Sequence, residues 1–313
     1  MTYSLYSNSS TTHLYFKSLK RILLFRSFCS DLSTSQKDQQ KLSTVNLAYD
    51  LHLGTFKRNE DKIEATNPLI ITHGIFGHKQ NWRSAAKALQ KELDNFVFVV
   101  DMRNHGESPH TSECSYQLMA ADLREFIQKE VLSRSIFKTS STPLLEKLII
   151  EDISPTKSST PTANNSEFIK TLKSVDLHQT RAEIDKYLKK HIVDDDIRAF
   201  LLTNLFKPRG GPFHWRCNLT SLELNLDHLL NYSIKTNNLK QKCPTLFIAG
   251  KKSEYLIVER DKEEILKIFP NAEFVEIRGA GHWVHSERPA LFVQHVVEFL
   301  KKGYFTFEQE KII

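Results

Sequence analysis

At 313 residues and a formal charge of +6, the chain is long enough for one large domain with an inserted subdomain, and its charge is too modest to mark a nucleic-acid surface. Hydrophobic content of 40% and charged content of 26% are those of a globular protein, and no apolar run approaches the ~18 residues of a transmembrane helix. Cys29, Cys114, Cys217 and Cys243 are far apart and form no C-x-x-C pair, which argues against a disulfide framework or structural zinc. No ligand set for a metal or organic cofactor is visible.

Residues 1–30 contain no Asp or Glu and are rich in Ser, Thr and aromatics. "LYFKSLKRILLFRSF" (14–28) can place Leu, Ile and Phe on one helical face and Lys and Arg on the other. That is the composition of a mitochondrial transit peptide, assigned here to residues 1–32, and it predicts a mitochondrial matrix location; the alternative reading is an untargeted disordered tail. The folded part is expected to begin near Val45, where "VNLAYDLHLGTF" alternates as a first strand does.

Strands and helices then alternate, which favours a mostly parallel sheet with helices on both faces. "PLIITHG" (68–74) reads as a buried strand, "NWRSAAKALQKEL" (81–93) as an amphipathic helix and "NFVFVVD" (95–101) as the next buried strand. A helix over 115–132 has Ser115 as its cap. "LEKLIIEDIS" (145–154) and "KCPTLFIAG" (242–250) are strands. The helix "RDKEEILKIFP" leads to the strand "AEFVEI", and Pro289 opens a last helix over 289–302. Residues 45–155 and 241–304 thus form the two parts of a sheet-based core. Between them, residues 156–240 lose the strand signal. "SSTPTANNS" (158–166) is a loop, helical patterns follow, and "FKPRGGPFHWR" (206–216) is a turn-rich interruption, so the segment is expected to be a helical lid.

Three loops after predicted strands carry the chemistry. In "HGIFGHKQNW" (73–82), Gly74 and Gly77 allow a tight turn that leaves the amides of Ile75 or Phe76 to point at a developing oxyanion. In "DMRNHGESPH" (101–110), Arg103 and Asp101 are expected to pair and brace the loop. In "IRGAGHWVHSERP" (277–289), His282 sits just past a strand end, where a general base is often held, and His285 is expected to brace that loop beside Glu287.

These segments, with "SYQLMAADL", "EDISP", "LLTNL" and "PTLFIAG..S.Y", occur in an order and spacing that resemble the alpha/beta-hydrolase domain-containing protein eleven family and its bacterial esterase relatives, over residues 45–302. The resemblance implies an alpha/beta-hydrolase fold and a serine hydrolase acting on carboxylic esters or acyl lipids, with animal members in mitochondria. It implies His282 as the base of a catalytic triad. Asp152 in "EDISP" is favoured as its acid, with Glu254 in "GKKSEY" as the alternative. Residues 163–235 of the lid would select the acyl chain. No metal or cofactor, nucleic acid or membrane span is implied, and no protein partner can be named.

The family's nucleophile lies in a G-x-S-x-G elbow, where the strain of a strand-to-helix turn admits only glycine on either side of the serine. This sequence has no glycine between Gly106 and Gly210, so no such elbow can be written there in any register. The 17 residues between Ile127 and Leu145 are also too few for a strand, an elbow and a returning helix, which need roughly thirty. Ser133, Ser135, Ser140 and Ser141 lack the turn chemistry of an elbow. Strand five and the nucleophile are therefore expected to be deleted. Neighbouring strands would then be left unpaired, or "LEKLIIEDIS" would slide into the vacant slot. Two functions follow: a serine carboxylester hydrolase by descent, or a non-catalytic protein of the same fold that binds a partner or a lipid.

Overall fold

The computed structural model describes residues 22–25, 42–53, 68–131, 145–155, 163–230 and 240–302. Seven strands form one sheet: β1 (Ile22–Phe25), β2 (Tyr49–His52), β3 (Leu69–Thr72), β4 (Val97–Val100), β5 (Lys147–Glu151), β8 (Thr245–Gly250) and β9 (Ala272–Ile277), in the spatial order β2-β4-β3-β1-β5-β8-β9. All neighbours are parallel except β2, which lies antiparallel to β4.

β3, β4, β5 and β8 are buried on both sides and send alternate residues into two cores, as strands of a doubly covered parallel sheet do. Ile70, Phe98, Val100, Leu148, Ile150 and Phe247 enter one core. Leu69, Ile71, Val97, Val99, Ile149, Leu246 and Ile248 enter the other. The second core is closed by α1 (Arg83–Leu93) and α9 (Pro289–Lys301), through Ala86, Leu89, Phe292 and Val296. α2 (Tyr116–Phe126), capped by the Ser115 hydroxyl accepting from the Leu118 amide at 3.2 Å, and α7 (Val258–Ile268) cover the first.

The centre of the sheet differs from both outcomes expected of a missing strand. β5 has not slid. The slot between β3 and β5 is filled by β1, with Ile22 in register with Leu69 on one side and with Lys147 on the other. Over these four residues the segment read as an amphipathic helix is strand. Parallel strands lie ~4.8 Å apart, so one extended segment satisfies the inner ladders of both neighbours. Ser133, Ser135, Ser140 and Ser141, and the transit-peptide residues other than 22–25, lie outside the described residues.

The lid is inserted between β5 and β8. It carries α3 (Ala163–Lys173), α4 (Arg181–Leu188), α5 (Asp195–Leu202) and α6 (Leu219–Leu230). It is not purely helical: the turn-rich interruption is a hairpin of β6 (Leu205–Phe206) and β7 (His214–Trp215). α3 also begins at Ala163, inside the stretch expected to be loop. α8 (Val284–Glu287) is a single turn just after His282.

Candidate active site

The C-terminal ends of β5, β8 and β9 bring the predicted histidine and one of the two candidate acids together. His282 Nδ1 lies 2.7 Å from Asp152 Oδ2. Asp152 leaves β5 with φ of 48°, in the left-handed region, and its side chain is fully buried. Its two oxygens are heavily used: Oδ1 accepts from the Gly250 amide at 2.9 Å, and Oδ2 also accepts from the Ser253 hydroxyl at 2.5 Å. A carboxylate held this way keeps its charge directed at Nδ1, which fixes Nδ1 as the protonated nitrogen and makes Nε2 the basic one. The Tyr255 ring stacks on the imidazole at 3.9 Å between centroids, setting its plane. Glu254, the alternative acid, is exposed, and its carbonyl instead accepts from Arg260 at 3.4 Å. Ser253 and Tyr255 were present in the motif "PTLFIAG..S.Y", but the sequence carried no hint of what they do.

The backbone of the histidine loop touches that of β8. A Cβ on Gly250 would lie 1.9 Å from the Gly281 carbonyl oxygen, so only glycine lets the two segments meet here.

The turn His73–Gly77 follows β3. It is closed by the Gly77 amide donating to the Gly74 carbonyl at 2.9 Å, with Phe76 at φ of 58°. Among the described residues, the amides of Ile75 and Phe76 have no hydrogen-bond acceptor. The lid holds this turn: Asn204 Nδ2 donates to the Phe76 carbonyl at 2.6 Å, and His78 Nε2 donates to the Thr203 carbonyl at 3.1 Å. Below it, His73 Nδ1 donates to the Gly74 carbonyl at 2.8 Å while its Nε2 accepts from the Met102 amide at 3.0 Å, which ties the turn to the loop after β4.

Two expected pairings are corrected. Arg103 does not pair with Asp101. It makes a two-pronged pair with buried Asp122 of α2, at 2.6 and 2.8 Å. Asp101 instead accepts from the Lys79 amide at 2.6 Å, from Lys79 Nζ at 3.0 Å and from the Glu107 amide at 2.9 Å. Burial opposes ionisation of Asp101, but the neighbouring His73, those amides and the Lys79 ammonium outweigh it, and its pKa is lowered. Helical and loop spacing cannot show that Asp122 and Lys79 face inward, so the nearer partner in sequence was the natural choice. His285, likewise, does not sit on Glu287. Its Nδ1 lies 2.8 Å from Glu151 Oε1, and its ring stacks on Trp82 at 3.9 Å. Glu287 accepts from the Gly281 and Trp283 amides at 2.7 and 3.2 Å. Strand alternation explains the pair: Glu151 continues the Leu69-side face of β5 and meets α8 there, while Asp152 turns toward His282.

A parallel sheet with a buried carboxylate, an imidazole on a loop after the last strand, a glycine turn after β3 and a helical lid define an α/β hydrolase. A family model described as the alpha/beta hydrolase fold matches residues 67–136. The sn-1-specific diacylglycerol lipase ABHD11 of Mus musculus is 33% identical over 301 residues, covering 90% of this chain and 93% of the mouse protein. An esterase from a marine microorganism superposes with a TM-score of 0.70 at 33% identity, covering 82% of this chain and 100% of that one. A protein of Haemophilus influenzae described as a putative esterase/lipase is 33% identical over 255 residues, covering 76% of this chain and 84% of its own length. The chain belongs to the ABHD11 family of α/β hydrolases. Among the described residues there is no cluster of side chains that could hold a metal ion, and no helix is long and apolar enough to cross a membrane.

Proposed function

We propose that this chain binds carboxylic esters or acyl lipids between the His73–Gly77 turn and the lid, and does not process them through a serine held in a nucleophile elbow. The observation that carries this reading is the His282–Asp152 pair, kept at 2.7 Å in a sequence with no G-x-S-x-G. The diacylglycerol lipase and esterase relatives supply the ligand class. The amides of Ile75 and Phe76 would receive the ester carbonyl oxygen, and His282, oriented by Asp152, would serve as the base in any acyl transfer. Loss of the elbow leaves the carbonyl site and the base without the serine they serve in an intact triad.

Turnover is the second reading, and one observation favours it. β1 fills the central slot in parallel, and Phe25 is in register with Ile150, two residues before Asp152. The first serine after this strand in the chain, Ser27, lies outside the described residues.

Intact mass after incubation of the full 313-residue chain with a fluorophosphonate, with circular dichroism on the same sample, separates the two readings. The expected result is a folded chain without adduct that binds a 1,2-dialkylglycerol ether, read by tryptophan fluorescence. A single adduct on a folded chain overturns the proposal, and mapping it to Ser27 or elsewhere identifies the nucleophile.

We also propose mitochondrial targeting by a leader that stays on the chain, since removal of residues 1–32 would take β1 out of the sheet; the acid-free, basic and aromatic composition of residues 1–30 supports it. A fluorescent reporter fused to residues 1–32 should enter mitochondria. A cytosolic reporter rules it out.

A further inference from the structure

We infer that the β6–β7 hairpin of the lid docks on an anionic lipid surface. The inference rests on the reading of the site as one for acyl lipids, which have to be drawn from such a surface.

The hairpin combines exposed aromatic and cationic groups without a carboxylate of its own. No Asp or Glu occurs between Asp196 and Glu223, and Lys207, Arg209 and Arg216 lie on or beside the two strands. Phe206 is 42% exposed; Lys207, Arg209 and His214 are exposed. The aromatic faces are covered by cations: the Arg216 guanidinium lies 4.6 Å from the Phe206 ring centroid and Lys207 Nζ 5.0 Å from that of Phe213. In water such pairs shield apolar rings with groups that stay hydrated. At a bilayer the two halves separate naturally, the cations to lipid phosphates and the rings to the headgroup–acyl boundary. The nearest acidic groups are peripheral. Glu107 lies 4.0 Å from Arg216 and also takes Lys79, while Asp176 is one residue from Leu177, whose carbonyl holds the Phe213 amide at 2.9 Å.

Two features favour lipid over single-stranded nucleic acid, which also uses cations beside aromatics. The rings are capped by their own cations rather than left as open stacking platforms. The hairpin also starts one residue after Asn204, whose amide holds the Phe76 carbonyl, and the Arg216 amide returns to the Asn204 carbonyl at 2.8 Å. A lipid surface on the hairpin would therefore lie over the edge of the site that an acyl chain must enter.

The test is co-sedimentation of the full chain with vesicles of ether-linked (dialkyl) phosphatidylcholine containing 30% ether-linked phosphatidylglycerol, which carry no carboxylic ester. Binding is expected to these vesicles, to fall in high salt, and to be absent with phosphatidylcholine alone. Each basic residue at such a surface contributes roughly fivefold, so Lys207→Glu with Arg209→Glu should weaken partition at least tenfold. Phe206→Ser should weaken it without changing the charge. The same reversal at exposed Lys189 and Lys190 of the lid should leave it within about twofold of the unaltered chain. The inference is overturned by equal binding to neutral vesicles, by equal loss in the Lys189/Lys190 control, or by a single-stranded oligonucleotide that displaces the vesicles. Vesicle binding without dialkylglycerol binding would sink the proposed function and leave the surface; the reverse would sink only the surface.

Discussion

Gly250 and Gly281 meet backbone to backbone: the end of β8 rests against the loop that carries His282, with no room for a side chain between them. The same Gly250 donates its amide to Asp152 Oδ1, so one residue sets both the acid and the approach of the base. Positioning in this site comes from main-chain packing as much as from the His–Asp hydrogen bond. Gly250→Ala should therefore push the His282 loop outward and lengthen the 2.7 Å contact. Overpacking of this kind costs roughly 1–3 kcal/mol. Urea denaturation should show that loss, and an unchanged midpoint would mean that the loop is free to retreat.

A chain lacking residues 1–32 should not keep the sheet intact. It would have no β1, and β3 and β5 would face each other across a gap one strand wide. Each buried backbone group left unpaired costs ~1–3 kcal/mol, and a domain's whole net stability is ~5–15 kcal/mol. The truncated chain should show no cooperative thermal transition by circular dichroism. A transition equal to that of the full chain would show that β1 does not support the sheet.

The Glu151–His285 pair should be strongly coupled. Both side chains are buried, and the His285 amide also donates to Glu151 Oε1 at 2.7 Å. Removing one partner leaves a buried polar group of the other unsatisfied at a cost of about 1–3 kcal/mol. Glu151→Gln, His285→Phe and the double variant should give a coupling energy above ~1 kcal/mol in a denaturation cycle. Additive losses would mean that the Trp82 stack, not the carboxylate, holds His285.

Stability should fall as the solution is acidified below pH 6.5. Burial, reinforced by nearby His73, depresses the pKa of His105 to about 3 and that of His78 to about 4. Both rings stay neutral in the fold while the unfolded chain protonates them near 6.5. The unfolded state thus binds more protons, and each ring subtracts up to ~1.4 kcal/mol per pH unit between 6.5 and its folded pKa. Urea midpoints at pH 7 and pH 5 should show this slope, and His105→Gln should reduce it by about half. A flat profile would place both rings in water-accessible positions.

The parts of this molecule written locally were legible in its sequence. Apolar runs gave β3, β4 and β8, the first and last of them ending in glycine, and the Ser115 cap gave the start of α2. His282 could be placed because the alternation of "AEFVEI" ends just before the glycines that bend the chain. What failed was pairing between distant segments. Arg103 with Asp122, Lys79 with Asp101 and His285 with Glu151 depend on which side of an element faces its neighbour, and a nearby opposite charge is a poor guide to that. β1 is the sharpest case. Leu23 and Leu24 suit a helix face or a buried strand equally, so four residues cannot choose until a vacant ladder chooses for them.

Ile22 and Lys147, paired in the sheet, are 125 residues apart in the chain. On the ribosome, at ~5–20 residues per second, the central strand is made first and waits roughly 6–25 s before its second neighbour exists. During that interval a short apolar segment must neither aggregate nor be captured by another edge. The assembly of the middle of this sheet thus depends on the order of synthesis, and a chaperone that shields the nascent N-terminus would act directly on the yield of folded protein.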